Sequence, residues 1–163
     1  MTCTCHRRLL TLSSQVHRLS ARVLGPHHPD TLMRMAAVAE SLSCAADAKR
    51  MLQECLELCE SIMGPQHPDT LTVKCNLAKS CRDDDDYDRA DALHTECWQV
   101  CRERLGDEHP DTIDSLEQVA LVALDKTDYV RARTLYDSAL QLRRLVHGEK
   151  VCPLSQLLLL RDT

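Results

Sequence analysis

The chain has 163 residues, with 20 Lys and Arg against 25 Asp and Glu and a formal charge of −5. Hydrophobic residues make up 44% but aromatics only 2%, with no Phe at all; this argues against an all-β sandwich or barrel, and the wealth of Leu, Ala, Glu and Arg favours helix. The acidic balance excludes an ordinary nucleic-acid binder, no apolar run reaches the ~18 residues of a membrane span, and an all-α soluble protein is the expectation.

The first 29 residues contain four Arg and no Asp or Glu. That pattern suits a mitochondrial transit peptide as well as an amphipathic helix. Leu9, Leu12, Val16 and Leu24 fall in phase with Ala90, Leu93, Cys97 and Leu105, so the stretch 5–24 is expected to be the second helix of a partial repeat. The segment Leu24-Gly-Pro-His-His-Pro-Asp-Thr-Leu32 then recurs as Met63-Gly-Pro-Gln-His-Pro-Asp-Thr-Leu71 and as Leu105-Gly-Asp-Glu-His-Pro-Asp-Thr-Ile113. Taking His28, His67 and His109 as markers, the periods are 39 and 42. A fixed period of this size marks a repeat architecture.

Each repeat divides into two helices. Gly closes the helix before it, because it enters the left-handed C-cap conformation cheaply. Pro after the His suits a first helical position, and the following Asp complements the helix dipole. First helices are expected near 29–43, 68–82 and 110–125, and second helices near 46–63, 86–105 and 128–147. Ala48, Ala90 and Ala132 are in phase once a three-residue deletion is placed near 43–46. Beyond Gly148 the motif decays to Val151-Cys-Pro-Leu, and 157–160 is expected to form a short capping helix. The organisation is thus a single repeat domain over 1–163: a partial helix at 5–24, repeats at 28–64, 67–106 and 109–148, and a cap or degenerate repeat at 149–163.

The Gly-x-x-His-Pro-Asp-Thr junction, together with Asn76-Leu77-Ala78 and Tyr87-x-x-Ala90-x-x-Leu93, resembles the tetratricopeptide repeat in its 42-residue, kinesin light chain-like form. The resemblance implies an α-solenoid of stacked helical hairpins in a right-handed superhelix, with the first helices lining a concave groove. It also implies that the residue nine after the motif His contacts the backbone of a bound extended peptide. That residue is Asn76 in one repeat, Gln118 in the next and Ala37 in the first. An amide donates and accepts together, as a peptide unit requires; Ala37 can do neither. Helical spacing adds Met33, Ala36 and Glu40, then Thr72, Cys75, Lys79 and Arg82, then Asp114, Glu117 and Leu121 to the same face. Lys79 and Arg82 would pair with acidic ligand side chains, or they are simply solvated face charges.

The ten cysteines include two pairs at one spacing, Cys55 with Cys59 and Cys97 with Cys101, 42 residues apart. A four-thiolate zinc site needs sulfurs about 2.3 Å from the metal, whereas equivalent positions on stacked helices lie about 8–10 Å apart. Small-residue packing is therefore expected, in a reducing, cytoplasmic compartment. Cys3, Cys5 and His6 are too few and too terminal for a metal site. The His-Pro-Asp triplets recur at helix starts, which fits capping better than catalysis. The acidic run 83–86 falls in a turn and is expected to be solvated. No metal, cofactor or enzymatic activity is expected. The function expected is a protein-protein interaction module or adaptor that takes a peptide or partner helix, at Asn76, Gln118, Lys79, Arg82, Thr72, Cys75, Glu117 and Leu121. The alternative is a structural piece of a larger repeat scaffold, self-associating through its terminal helices.

Overall fold

In the computed structural model, residues 15, 18–40 and 45–147 are described. Residues 18–23 are helical and belong to α1. Six further helices follow: α2 (Pro29–Glu40), α3 (Ala45–Met63), α4 (Pro68–Asp83), α5 (Tyr87–Leu105), α6 (Pro110–Asp125) and α7 (Tyr129–His147). No strand occurs among the described residues. The spans expected at 46–63, 68–82, 86–105, 110–125 and 128–147 agree with these to within one residue. Residues 41–43 of the span 29–43, the start of the partial repeat and the capping helix at 157–160 lie outside the described residues.

The junctions between repeats follow from backbone chemistry. Gly25, Gly64 and Gly106 have φ of +97°, +94° and +89°. A Cβ at any of them would meet nothing within 4 Å, so the requirement is conformational rather than spatial. Three residues on, the backbone N–H of His67 and of His109 donates to the carbonyl of Gly64 and of Gly106 at 3.3 and 3.4 Å. The imidazole then caps the next helix: Nδ1 of His28, His67 and His109 accepts the backbone N–H of Asp30, Asp69 and Asp111, each at 3.2 Å. This satisfies one of the free amides at each helix start. The motif threonines, Thr31, Thr70 and Thr112, are buried with hydroxyls that have no hydrogen-bond partner among the described residues.

Turns inside the repeats use a different device. α4 and α6 end without Gly, on Asp85 (φ 59°) and Thr127 (φ 62°). The N–H of Asp86 donates to Cys81 O, and that of Asp128 to Ala123 O, both at 2.9 Å, which is the six-to-one bond of a Schellman ending. Asp128 Oδ1 then accepts the N–H of Arg131 and caps α7. The acidic run is therefore more than a solvated turn. Asp84 and Asp86 each hold Lys49 Nζ of α3 at 3.0 Å, and these contacts raise the Lys49 pKa above its ordinary value.

The helices fall into two compact units that divide between Asp86 and Tyr87. In the first, α3 packs against α2 and α4, and α2 also touches α4. Buried there are Leu32, Ala36 and Ala39 of α2, Leu52, Cys55 and Cys59 of α3, and Val73, Leu77 and Ala78 of α4. In the second, α6 packs against α5 and α7. Its core joins Ile113, Leu116 and Ala139, with Trp98, Leu135 and Leu142 packed on them. The small residues in phase, Ala48, Ala90 and Ala132, are all buried.

Lys74 and His94 depart from the apolar pattern of the buried positions. Lys74 on α4 is only 2% exposed and its Nζ lies 3.2 Å from Glu60 Oε1 of α3. In the adjacent repeats the same position carries Met35 and Leu116. A buried ion pair stabilises less than well-packed apolar side chains of similar volume. Lys74→Met is expected to match or exceed the parent's urea midpoint, whereas Glu60→Ala, which takes a carboxylate from a buried ammonium, lowers it. At the turns, Gly106→Ala is expected to cost about 1–2 kcal/mol through its left-handed backbone. Thr127→Gly, by releasing a β-branched residue from that region, raises the midpoint. Urea unfolding followed by circular dichroism checks all four.

Candidate functional site

The residues expected on the first-helix face lie on α2 and α4 in the first unit and on α6 in the second; on α2, Met33 is half-buried and Glu40 exposed, whereas Ala36 is buried in the core rather than on an open face. On α4, Thr72 is exposed, and its hydroxyl donates back to the Pro68 carbonyl at 3.0 Å. Cys75 and Arg82 are half-buried and Lys79 is exposed. Asn76 is 9% exposed. Its amide makes no hydrogen bond among the described residues. Lys79 likewise makes no ion pair among them. α4 thus presents an unspent amide and an unspent ammonium one helical turn apart.

The face of α6 is differently disposed. Gln118 and Leu121 are half-buried, and Gln118, like Asn76, makes no hydrogen bond among the described residues. The acidic residues beside them are engaged. Arg143 of α7 forks Glu117, with Nε to Oε1 at 2.6 Å and Nη2 to Oε2 at 3.0 Å, and its Nη2 also donates to Asp114 Oδ1 at 2.5 Å. Glu117 and Asp114 together hold the guanidinium pKa above its usual value. A bidentate fork of this kind is among the stronger charge-assisted contacts. The acid that the sequence reading puts on this face is therefore largely neutralised from within the unit. Arg143 was not foreseen: it sits late in a second helix, and only the hairpin α6–α7 returns it to the start of α6.

The paired cysteines are packing residues. Cys55 and Cys59 are fully buried on α3, and the Cys55 thiol donates to the Leu32 carbonyl at 3.2 Å. Burial, with Cys59 beside it, pushes the Cys55 pKa up to about 12 from 9.0. Cys97 is buried on α5, and Cys101 is half-buried. Among the described residues, no group of three or more His, Cys, Asp or Glu side chains could hold a metal ion. No described helix is long and apolar enough to cross a membrane.

The tetratricopeptide repeat profile matches residues 30–97 and 73–145, well over half of the chain. The chain belongs to the tetratricopeptide repeat (TPR) family. Among solved structures it is similar to BtubC (BKLC) from P. vanneervenii, with a TM-score of 0.77 at 16% identity over 96% of this chain. It is also similar to the TPR-like repeats of a kinesin light chain-like protein of Podosopora anserina and to a single-substitution variant of it. There the TM-scores are 0.73 and 0.74 at 18% identity, over 87% and 86% of this chain. The chain spans 63% of the length of BtubC and 68–69% of the Podosopora chains. A comparison of the sequence with curated proteins gives no match. These likenesses establish a kinesin light chain-like TPR fold of stacked helical hairpins. TPR repeats are generally protein-interaction modules on a non-catalytic scaffold.

Thiol chemistry should follow burial. In the native TPR chain at pH 8, iodoacetamide is expected to modify Cys75 and Cys101 well before Cys55, Cys59, Cys81 and Cys97, as read by peptide mass spectrometry. Because the Cys55 thiol stays neutral in the folded state to about pH 12 but ionises near 9.0 once unfolded, its contribution to stability is whole below pH 9 and is lost as the pH rises toward 12. Cys55→Ala should therefore show a shallower decline in stability over that window than the parent.

Proposed function

We propose that this chain is a non-enzymatic interaction module whose first-helix faces take an extended peptide or a partner helix, with α4 as the principal contact. The reading is carried by Asn76, a nearly buried amide with no hydrogen-bond partner among the described residues. An amide donates and accepts together, so a ligand peptide unit can pair with both of its groups. Lys79, one turn along and exposed, selects an acidic side chain next to that peptide unit, with Arg82 beside it. Thr72 and Cys75 border the same face. On α6, Gln118 offers a second amide and Leu121 an apolar contact. Glu117, held by Arg143, shapes the rim rather than attracting a basic ligand.

The test is affinity capture from the native cell lysate, using the chain and its Asn76→Ala, Lys79→Glu, Gln118→Ala variant as baits. Captured partners are then narrowed to a peptide whose affinity is titrated. Partners held by the parent and lost by the variant, with peptide affinity reduced about tenfold or more, are expected; losing one charge-assisted contact alone is worth that much. Equal capture by both baits would remove the face from consideration. A second reading, self-association through the terminal helices, has the exposed Leu19, Val23 and Leu145 in its favour, and concentration-dependent sedimentation velocity decides it.

A further inference from the structure

Two ion pairs join successive repeats, and their charges are inverted. In the first unit, Lys49 near the start of α3 reaches across to Asp84 in the turn that ends α4, at 3.0 Å. In the second unit, Asp88 and Asp91 near the start of α5 reach Lys126 in the turn that ends α6, at 2.7 and 3.7 Å. Asp91 stands 42 residues after Lys49, and Lys126 stands 42 residues after Asp84. At these two positions the cation and the anion are exchanged, while their neighbours keep their sign: Asp86, which also holds Lys49 at 3.0 Å, recurs as Asp128, and Lys126 is held most closely by Asp88, whose counterpart is Ala46. Burial tends to raise the Asp91 pKa, but Arg131, which forks it at 2.7 and 3.0 Å, and Lys126 bring it below the usual carboxylate value.

Nearly everything else at these junctions is duplicated. The turns share their left-handed residue, Asp85 and Thr127, and the same closing bond. The second helices share buried Ala48 and Ala90, and Cys55 with Cys97. Asp86 recurs as Asp128, and Arg89 as Arg131. Backbone and shape therefore do little to tell one turn from the other, and misassembly between like units is the characteristic failure of repeat proteins. The charges do tell them apart. If α3 were to stack on the turn that ends α6, Lys49 would exchange Asp84 for Lys126 and keep one carboxylate, Asp128, in place of two. If α5 were to stack on the turn that ends α4 in a second copy, Asp88 and Asp91 would exchange Lys126 for Asp84, with Arg89 in the place of Arg131.

We propose that the inverted pairs Lys49–Asp84 and Asp91–Lys126 form a polarity code that fixes which helical hairpin stacks on which, and that excludes out-of-register and copy-to-copy stacking. Each pair is partly solvated, so its attraction alone is modest. The code works through the difference between attraction in the correct stack and repulsion in the wrong one, and such like-charge contacts are an effective way to reject a wrong partner.

The test is refolding of the full chain from urea under reducing conditions at micromolar concentration, resolved by size-exclusion chromatography with light scattering. Asp84→Lys alone places two cations together and should lower the urea midpoint. Adding Lys49→Asp should restore it, because the pair is re-formed with the polarity of the second junction. In that double exchange both junctions are alike, so the misassembled fraction should rise about five-fold, the factor that a discrimination of ~1 kcal/mol provides. Should the exchange at the first junction fail to fold, the mirror exchange at the second, Asp91→Lys with Lys126→Asp and Arg131→Asp, is read in the same way. A double exchange with restored stability that refolds as cleanly as the parent overturns the proposal. So does a second mutation that restores nothing.

Discussion

Helix exits in this chain are set by a residue held at positive φ, and the rest of the architecture depends on those exits falling in phase. Between repeats the exit is Gly, followed three residues later by a His that caps the next helix through Nδ1. Within repeats it is Asp85 or Thr127, followed by a Schellman bond. Each device fixes where one helix stops and where the next begins, and so which side chains of a 3.6-residue period turn inward. Ala90 and Ala132 are both buried at one position because the turns at Asp85 and Thr127 hold them in one phase. An error of a single residue at a turn would rotate the following helix by about 100° and bring charged residues to the core.

The interior built on this frame is made mostly of small side chains. Ala, Cys and Val occupy many helix contacts, and Trp98, the only Trp, packs at the margin of the second core while Arg102 lies over its ring. Small residues let helices approach closely, but they leave little apolar surface per contact, so polar intrusions matter more. Lys74 and His94 are such intrusions, both almost fully buried. Lys74 has the carboxylate of Glu60. The Nε2 of His94 has no hydrogen-bond partner among the described residues, and it occupies the position of Leu52 in the repeat before it.

The helices were legible in the sequence because their ends carry specific residues three times over. The Gly-x-x-His-Pro-Asp-Thr junction announces a stop, a cap and a start, each for a separate physical reason, and the observed spans follow it. Asn76 and Gln118 were placed by spacing from the same marker. What the sequence concealed were contacts whose partners come from other helices. Arg143 is one of many basic residues until the return of α7 brings it to Glu117 and Asp114. The run 83–86 resembles any acidic turn until α3 delivers Lys49 to it. Its register with Lys126 was nevertheless in the sequence, as an exchange of sign at a 42-residue separation. Charge does not contribute to a hydrophobic period, so a search for periodicity passes over it.

Within each unit, helices pack on those next to them in the chain, with α2 reaching no further than α4. This connectivity has a kinetic meaning. Successive helices meet through short turns, and folds rich in such local packing form in microseconds to milliseconds. At such speeds a helix pairs with whatever compatible surface is nearest. For a molecule made of near copies of itself, reaching a compact state is then easy, and the slower matter is correcting a neighbour chosen wrongly at the first encounter.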